Sequence, residues 1–441
     1  MASKGLMIAG LASGSGKTLV TLGLLRALAR RGKAPAAGKT GPDYIDPGFL
    51  SAAAGRKAVN LDQFAMSKPL LAHLAADQAG DTLIIEGVMG LFDGASGSVG
   101  SSAALAKTLD IPVILVMDIR HTAQTAAMIA AGIAGLLPAG RIAGVILNHV
   151  ASPRHLALVS EALAAYQIPL FGSVPSRDGL AVPSRHLGLV QAADFDNAGL
   201  EVILDHSADL IDEYCDLDAI LDAAQRLPTA GKAVAALPLP VTNPLAIKPP
   251  AKTIAVANDA AFGFAYHHLL AGWQQQGAEI RPFSPLNDEK PIDDADFIFL
   301  PGGYPELHLP TLSRNRQFLV GLNKAATANI PIYGECGGYM VLGTGITDAS
   351  GNRFDMAGLL DVETSFANKK RHLGYRKFTP VEPFFWDGPF LGHEFHYTNV
   401  VSASGTPLFT DPLRRPAMPS GWSLASWAVN SGVPLAETTL V

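Results

Sequence analysis

The chain has 441 residues, more than one hydrophobic core usually serves, so two domains are expected. Apolar residues make up 48% and charged residues 16%, the balance of a packed globular protein rather than a disordered one. A net charge of −6 with no Lys/Arg cluster argues against nucleic acid or an anionic membrane as partner, since both need a concentrated basic face. The N-terminal apolar stretch runs straight into a Gly/Ser loop, unlike a signal peptide, and Ile111–Met117 is too short to span a bilayer. The two cysteines, Cys215 and Cys336, make no disulfide framework; a reducing cytoplasm is expected, with one cysteine available as a nucleophile.

The first half alternates strand-like and helix-like segments. Gly5–Ala9 reads as a strand, and Thr18–Arg30 as a helix with Leu19, Leu22, Leu25 and Leu28 near helical spacing. Between them, Gly10-Leu-Ala-Ser-Gly14-Ser15-Gly16-Lys17-Thr18 has the strand–loop–helix context of a phosphate loop. Its glycines let backbone N–H groups close on phosphates, and the helix N-terminus adds positive character. Lys17 is expected to reach the phosphates of ATP and Thr18 to ligate Mg²⁺. Five residues, not four, separate Gly10 from Gly16, which sets the loop apart from the commonest spacing.

Lys39-Thr-Gly-Pro-Asp43-Tyr44-Ile45-Asp46-Pro47 sets two carboxylates three residues apart beside turn formers. Thr82–Ile85 reads as a buried strand ending in Glu86, followed by Gly-Val-Met-Gly-Leu-Phe-Asp93. A carboxylate at the C-terminal end of a parallel strand overlooks the ligand crevice, and Mg²⁺ needs such oxygens. Thr18, Asp46 and Glu86 are therefore assigned to Mg²⁺, and Asp43, Tyr44 and Asp93 to substrate, with turn and capping roles the alternative for the aspartates. Val113–Met117 and Gly144–Leu147 are two further β-branched runs suited to parallel strands buried on both faces. Asn148 ends the second; its amide suits an adenine edge, and a plain turn accounts for it as well. Pro183-Ser-Arg185-His186 puts two polar or cationic groups in a loop, facing a polycarboxylate or phosphate or simply solvent.

Ala233–Lys252 is rich in proline and lacks periodicity, so the domains are expected at 1–235 and 252–441 with a linker at 236–251. The strand–helix rhythm then restarts with Thr253–Ala257, a helical Phe262–Gln276, Phe297–Leu300, a helical Arg314–Ala326 and Ile330–Tyr333. Each half reads as an α/β domain, an open, mostly parallel sheet with helices on both faces. In Tyr333-Gly-Glu-Cys336-Gly337-Gly338 a strand ends, glycines bracket one cysteine and a helix begins, the elbow that exposes a nucleophile. Gly302 and Gly303, after the preceding strand, offer oxyanion donors together with Gly337. Leu391-Gly392-His393-Glu394-Phe395-His396 supplies two candidate bases. Cys215, in a polar helical stretch, is expected to be inert.

The ordered set GPDYIDP, EGVMGLFDG, PSRHLGL, LPGGYPELH, ECGGYM and GHEFHY resembles the cobyrinic acid and hydrogenobyrinic acid a,c-diamide synthase family across nearly the whole chain. The resemblance implies a dethiobiotin-synthetase-like P-loop domain fused to a class I glutamine amidotransferase domain. It further implies ATP-dependent phosphorylation of the c- and then the a-carboxylate of a corrin-type tetrapyrrole, and capture of ammonia released from glutamine at Cys336. The Gly-x-Glu-x-His pattern of that branch selects His396 over His393 as base, and no acidic third member is evident. Where family members often carry a histidine after GPDYIDP, this chain has Gly48-Phe49-Leu50. Amidation of another tetrapyrrole such as nickel sirohydrochlorin, a cobyric acid synthase, and a non-enzymatic P-loop switch with a vestigial amidotransferase domain are the competing readings. The partners implied are small molecules, and a homodimer is compatible with the sequence.

Overall fold

The computed structural model describes residues 4–78, 80–95, 99–138, 140–176, 197–228, 247–381, 385–386, 390–405 and 409–410. The chain divides into two compact units, Met1–Leu245 and Ala246–Val441. The part of the expected linker before residue 247 lies outside the described residues.

The first unit runs β1 (Lys4–Gly10), α1 (Lys17–Arg30), β2 (Pro35–Thr40), α2 (Asp46–Ala54), β3 (Val59–Leu61), α3 (Lys68–Asp77), β4 (Thr82–Glu86), α4 (Ser102–Leu109), β5 (Val113–Asp118), α5 (Gln124–Leu136), β6 (Ile142–Val150), α6 (Pro153–Ala165), β7 (Leu170–Pro175), α7 (Asn197–Tyr214), α8 (Leu217–Ala223) and β8 (Gln225–Arg226). Its sheet has the order β3-β2-β4-β1-β5-β6-β7, all parallel, with β8 antiparallel beside the start of β1. The chain leaves β1 toward β2 and β3, returns through β4, then crosses to β5, so the strand order reverses around β1. Ligands of open α/β sheets bind at such a reversal, outside the C-terminal strand ends. The central strands are buried end to end, as strands covered on both faces must be.

Local chemistry sets the helix ends. Ser67, Ser101 and Ser152 cap α3, α4 and α6 by accepting from the N–H groups of Leu70, Ala104 and His155. Gly55, at φ 67°, closes α2 in the left-handed region. Helix α7 packs on α1 through Leu204, Ala208 and Ile211, flanked by Arg26–Asp205 and Arg30–Asp205 ion pairs at 2.7 and 2.9 Å. The approach is close at Gly23, where a Cβ would lie 2.4 Å from the Ser207 carbonyl oxygen.

The second unit begins with β9 (Thr253–Ala257), α9 (His267–Gln275), β10 (Glu279–Phe283), β11 (Phe297–Leu300), α10 (Leu309–Leu312), α11 (Arg316–Thr327), β12 (Ile332–Gly334) and α12 (Gly337–Leu342). Four of these strands form a parallel sheet in the order β10-β9-β11-β12. Short strands β13 (Gly345–Thr347), β14 (Arg353–Asp355), β15 (Val362–Ser365), β16 (His372–Pro380), β17 (Phe390–His396), β18 (Asn399–Ala403) and β19 (Phe409–Thr410) follow. They pair mostly antiparallel in two small sheets, an addition that the open parallel sheet read from sequence does not include. The helix expected from Phe262 starts at His267 instead. The intervening segment turns, and Phe264 N–H donates to the Gly302 carbonyl at 2.9 Å, which holds that segment in a bridge.

Replacing Gly23 with alanine is expected to cost about 1–3 kcal/mol by forcing α1 and α7 apart, read as a lower urea midpoint in equilibrium unfolding.

Candidate active sites

The first cluster sits at the C-terminal ends of three adjacent strands, β2, β4 and β1. In the loop after β1, Gly14 (φ 78°) and Gly16 (φ 93°) take left-handed conformations that glycine tolerates best. The loop is tied inward: Ser15 Oγ donates to the Ala12 carbonyl at 2.8 Å, and Asn148 Nδ2 donates to the Ser15 carbonyl at 3.1 Å. A side chain at Gly16 would come within 2.1 Å of Asn148 Nδ2. Asn148 Oδ1 accepts from His149 N–H, so this buried amide is engaged with protein at both ends and braces the rear of the loop. An adenine edge would compete with those contacts. Lys17 Nζ donates to the carbonyls of Ala12 (2.9 Å) and Met89 (2.6 Å). Burial, then the neighbouring Lys39 charge, lowers its pKa.

Thr18 Oγ1 donates to Glu86 Oε1 at 2.7 Å, and Lys39 Nζ donates to the same oxygen at 3.0 Å. Lys39 also pairs with Asp46. The register of parallel strands β2 and β4 sets Lys39 directly opposite Glu86. Burial disfavours the Lys39 ammonium, but Asp46 and Glu86 outweigh it and raise its pKa. Burial also pushes Asp46 up, and the Lys39 ammonium overrides it to hold that carboxyl below its usual range. Burial raises Glu86 against the pull of Lys39. Asp43 Oδ1 accepts from the N–H groups of Ile45 (2.8 Å) and Asp46 (3.1 Å), yet burial and the Asp46 charge push it up to about 7. Asn60 Nδ2 pins the turn by donating to the Gly41 and Asp43 carbonyls.

These residues fit a hard divalent cation. Thr18 contacts Glu86 directly, Asp46 is linked to it through Lys39, and Glu86 Oε2 is buried with no hydrogen-bond partner among the described residues, so oxygen donors are at hand for such an ion. Tyr44 is half-buried beside them, while Asp93 is exposed at the rim and accepts from Gly90 N–H at 2.8 Å. Arg185 and His186 lie outside the described residues. Lys39 is the participant that sequence reading left without a role; the signal was a lone cation ending a strand of small residues.

The second cluster is the elbow after β12. Cys336 has φ 45° and ψ −105°, a sparsely populated conformation for a residue with a side chain. The elbow persists because its neighbours lack side chains. A Cβ at Gly338 would lie 2.0 Å from the Leu300 carbonyl oxygen, and one at Gly303 2.0 Å from that of Ala261. Positions Gly302 and Gly337 crowd the same point: a Cβ at Gly302 would be 3.3 Å from Cys336 Cβ, and one at Gly337 would be 3.1 Å from Gly303 N. The turn expected to hold an oxyanion thus lies against the thiol residue. Cys215, by contrast, is pushed up to about 12 by burial against Gly172.

His396 ends β17. Its Nε2 lies 3.1 Å from Glu394 Oε1 and its Nδ1 3.1 Å from the Thr398 carbonyl. Glu394 also pairs with Arg376. An acidic partner for His396, missing from the sequence reading, is therefore present. Strand alternation turns His393 to the opposite face, where burial lowers its pKa to about 4.

Residues 6–190 match the CobQ/CobB/MinD/ParA nucleotide binding domain, and residues 253–416 the CobB/CobQ-like glutamine amidotransferase domain. The chain is 49% identical over 409 residues, 92% of each chain, to a hydrogenobyrinate a,c-diamide synthase of Rhizobium meliloti. It belongs to the hydrogenobyrinate a,c-diamide synthase family. A Brucella anthropi member is 48% identical over 90% of each chain, and a Rhodobacter capsulatus member 45% over 92%. The family's nucleotide-binding region contains the Lys39–Glu86–Asp46 cluster, and its amidotransferase region contains the elbow.

The raised Asp43 carboxyl has a pH signature. Between about pH 4 and about 7 the folded chain keeps a proton that the unfolded chain has lost, so stability falls as pH rises through that window. Asp43→Asn removes this contribution. Thermal melts of the ligand-free protein are expected to show the wild type losing ground to the variant across that window.

Proposed function

We propose that this chain is an ATP- and glutamine-dependent amidoligase that converts the a- and c-carboxylates of hydrogenobyrinic acid into carboxamides in cobalamin biosynthesis. One observation carries the reading. A single chain holds a phosphate loop backed by the buried Lys39–Glu86 pair and a cysteine on a left-handed elbow, each at the C-terminal edge of its own parallel sheet.

In the first unit the N–H groups of Gly14, Ser15 and Gly16 and the start of α1 cradle the triphosphate. Lys17 exchanges the Ala12 and Met89 carbonyls for phosphate oxygens. Thr18, Asp46 and Glu86 hold Mg²⁺, which neutralises phosphate charge when bound. Lys39, released from Glu86, keeps a positive charge beside the transferring group. The substrate carboxylate is a poor electrophile. Attack of its oxygen on the γ-phosphorus, with ADP leaving, gives an acyl phosphate; ammonia then attacks the acyl carbon and phosphate departs. Water would hydrolyse that intermediate, so the buried setting of Lys39 and Glu86 serves the chemistry. Asp43, Tyr44 and Asp93 contact the tetrapyrrole, joined by Arg185 and His186.

In the second unit Cys336 attacks the glutamine carboxamide while the Gly302, Gly303 and Gly337 turn steadies the oxyanion. His396, oriented through Nδ1 by the Thr398 carbonyl, moves the thiol proton to the departing ammonia, and water then frees glutamate. The reading puts the reaction in the cytoplasm, with small-molecule substrates and neither nucleic acid nor membrane as partner. A homodimer is compatible with it. No helix among the described residues is long and apolar enough to cross a membrane.

The test offers hydrogenobyrinic acid, cobyrinic acid and nickel sirohydrochlorin separately with Mg-ATP and glutamine and follows amide gain by mass spectrometry. Two amides on hydrogenobyrinic acid are expected. Lys17→Ala or Glu86→Ala should lower amide formation by about 100-fold or more while glutamine hydrolysis persists. Cys336→Ala should lose glutamine-supported synthesis and keep the ammonia-supported reaction. A normal diamide rate in either first-unit variant would end the assignment of that site.

A further inference from the structure

Beside His396 and its neighbour Glu394, the ribbon formed by β16 and β17 carries a second imidazole, His372, that glutamine hydrolysis does not call for. Glu394 and His396 are two residues apart in one strand and so share a face. His372 lies directly opposite His396 in the antiparallel register and projects from the same side. The two imidazoles stack with centroids 4.6 Å apart and planes 15° from parallel. One donor atom from each of His372, Glu394 and His396 falls within 4.8 Å of the others.

The finer geometry favours a cation. The Thr398 carbonyl can only accept, so its contact with His396 Nδ1 puts the ring proton there and turns the Nε2 lone pair toward Glu394 Oε1. A lone pair facing a carboxylate oxygen is repulsive unless a proton or a cation lies between them. The separation is 3.1 Å. A tetrahedral ion with ligands at about 2.0–2.1 Å holds neighbouring donors about 3.3 Å apart. Each residue also has a further polar partner: Thr398 at His396 Nδ1, Asn399 for His372, and Arg376 at Glu394 Oε2. Such outer contacts orient the ligands of metal centres.

We propose that His372, Glu394 and His396 form a binding site for a divalent transition-metal ion of the zinc class, ligated by two imidazole nitrogens and Glu394 Oε1. Two imidazoles and one carboxylate suit zinc-class ions, whereas Mg²⁺ prefers oxygen throughout. Given the proposed role of His396 as proton carrier for Cys336, on which this consequence rests, metal occupancy takes its Nε2 lone pair and silences glutamine hydrolysis. The site is thus an inhibitory one.

The experiment uses the full chain with Cys336→Ala, so that the thiol cannot bind metal. Calorimetric titration with Zn²⁺, and Co²⁺ absorption as a spectroscopic probe, should show about one ion per chain in a low-coordinate oxygen–nitrogen environment. Adding His372→Asn should weaken Zn²⁺ by at least about tenfold; His372→Cys should restore it and add a thiolate-to-cobalt charge-transfer band. With Cys336 intact, Zn²⁺ but not Mg²⁺ should inhibit glutamine hydrolysis, with the midpoint raised by at least about tenfold in His372→Asn. Absence of Zn²⁺ binding in the Cys336→Ala chain, or binding unchanged by His372→Asn, overturns the site. Binding that depends on His372 but leaves hydrolysis untouched upholds the site, overturns its inhibitory role and removes His396 from its place as base.

Discussion

A lysine ammonium buried at 3% exposure is tolerable only if carboxylates surround it, and the first unit is organised around that requirement. Lys39 meets Glu86 because parallel strands β2 and β4 register those residues side by side, and it meets Asp46 because the turn after β2 folds back over the strand end. Thr18, at the start of α1, completes the set through the same Glu86 oxygen. Sheet register, turn geometry and helix placement therefore converge on one carboxylate. Removing Lys39 leaves the buried Glu86 carboxyl without its paired cation. Without ligand, the Lys39 ammonium is the cation that Asp46 and Glu86 share.

The second unit solves a different problem with different means. Charge is not concentrated at the elbow; conformation is. Cys336 is held at positive φ beside backbone crossings that leave no room for side chains at Gly303 and Gly338. Strain of this kind costs about 1–3 kcal/mol and survives only where the surroundings over-determine it. The Phe264–Gly302 bridge and the Glu335 N–H to Leu300 carbonyl bond, at 2.9 Å each, supply that determination.

Much of this was legible in the residues. The apolar runs at Thr82–Ile85, Val113–Met117 and Phe297–Leu300 became strands, because a buried parallel strand has few other compositions open to it. The glycine-bracketed Lys17 and Cys336 loops also stood out, since both motifs are contiguous. Strand β2, PAAGKT, did not: proline, alanine and glycine are poor strand formers, and only its neighbours β3 and β4 make it a strand. For the same reason the burial of Lys39 was invisible, being a product of register between segments 47 residues apart. Glu394 was hidden more thinly. Its two-residue spacing from His396 means a shared face only once LGHEFHY is known to be a strand, and that follows from pairing with β16.

The glycines at 303 and 338 separate two kinds of inheritance. Each is required by a main-chain crossing that would persist whether or not a thiol stood at 336, since a Cβ at either would lie 2.0 Å from a carbonyl oxygen. On the role proposed for Cys336, a descendant that abandoned glutamine could shed the sulfur in a single step, yet would have to retain both glycines to fold. In any lineage built on this scaffold, those glycines bear witness to shared architecture, and on that role only the sulfur bears witness to a surviving reaction.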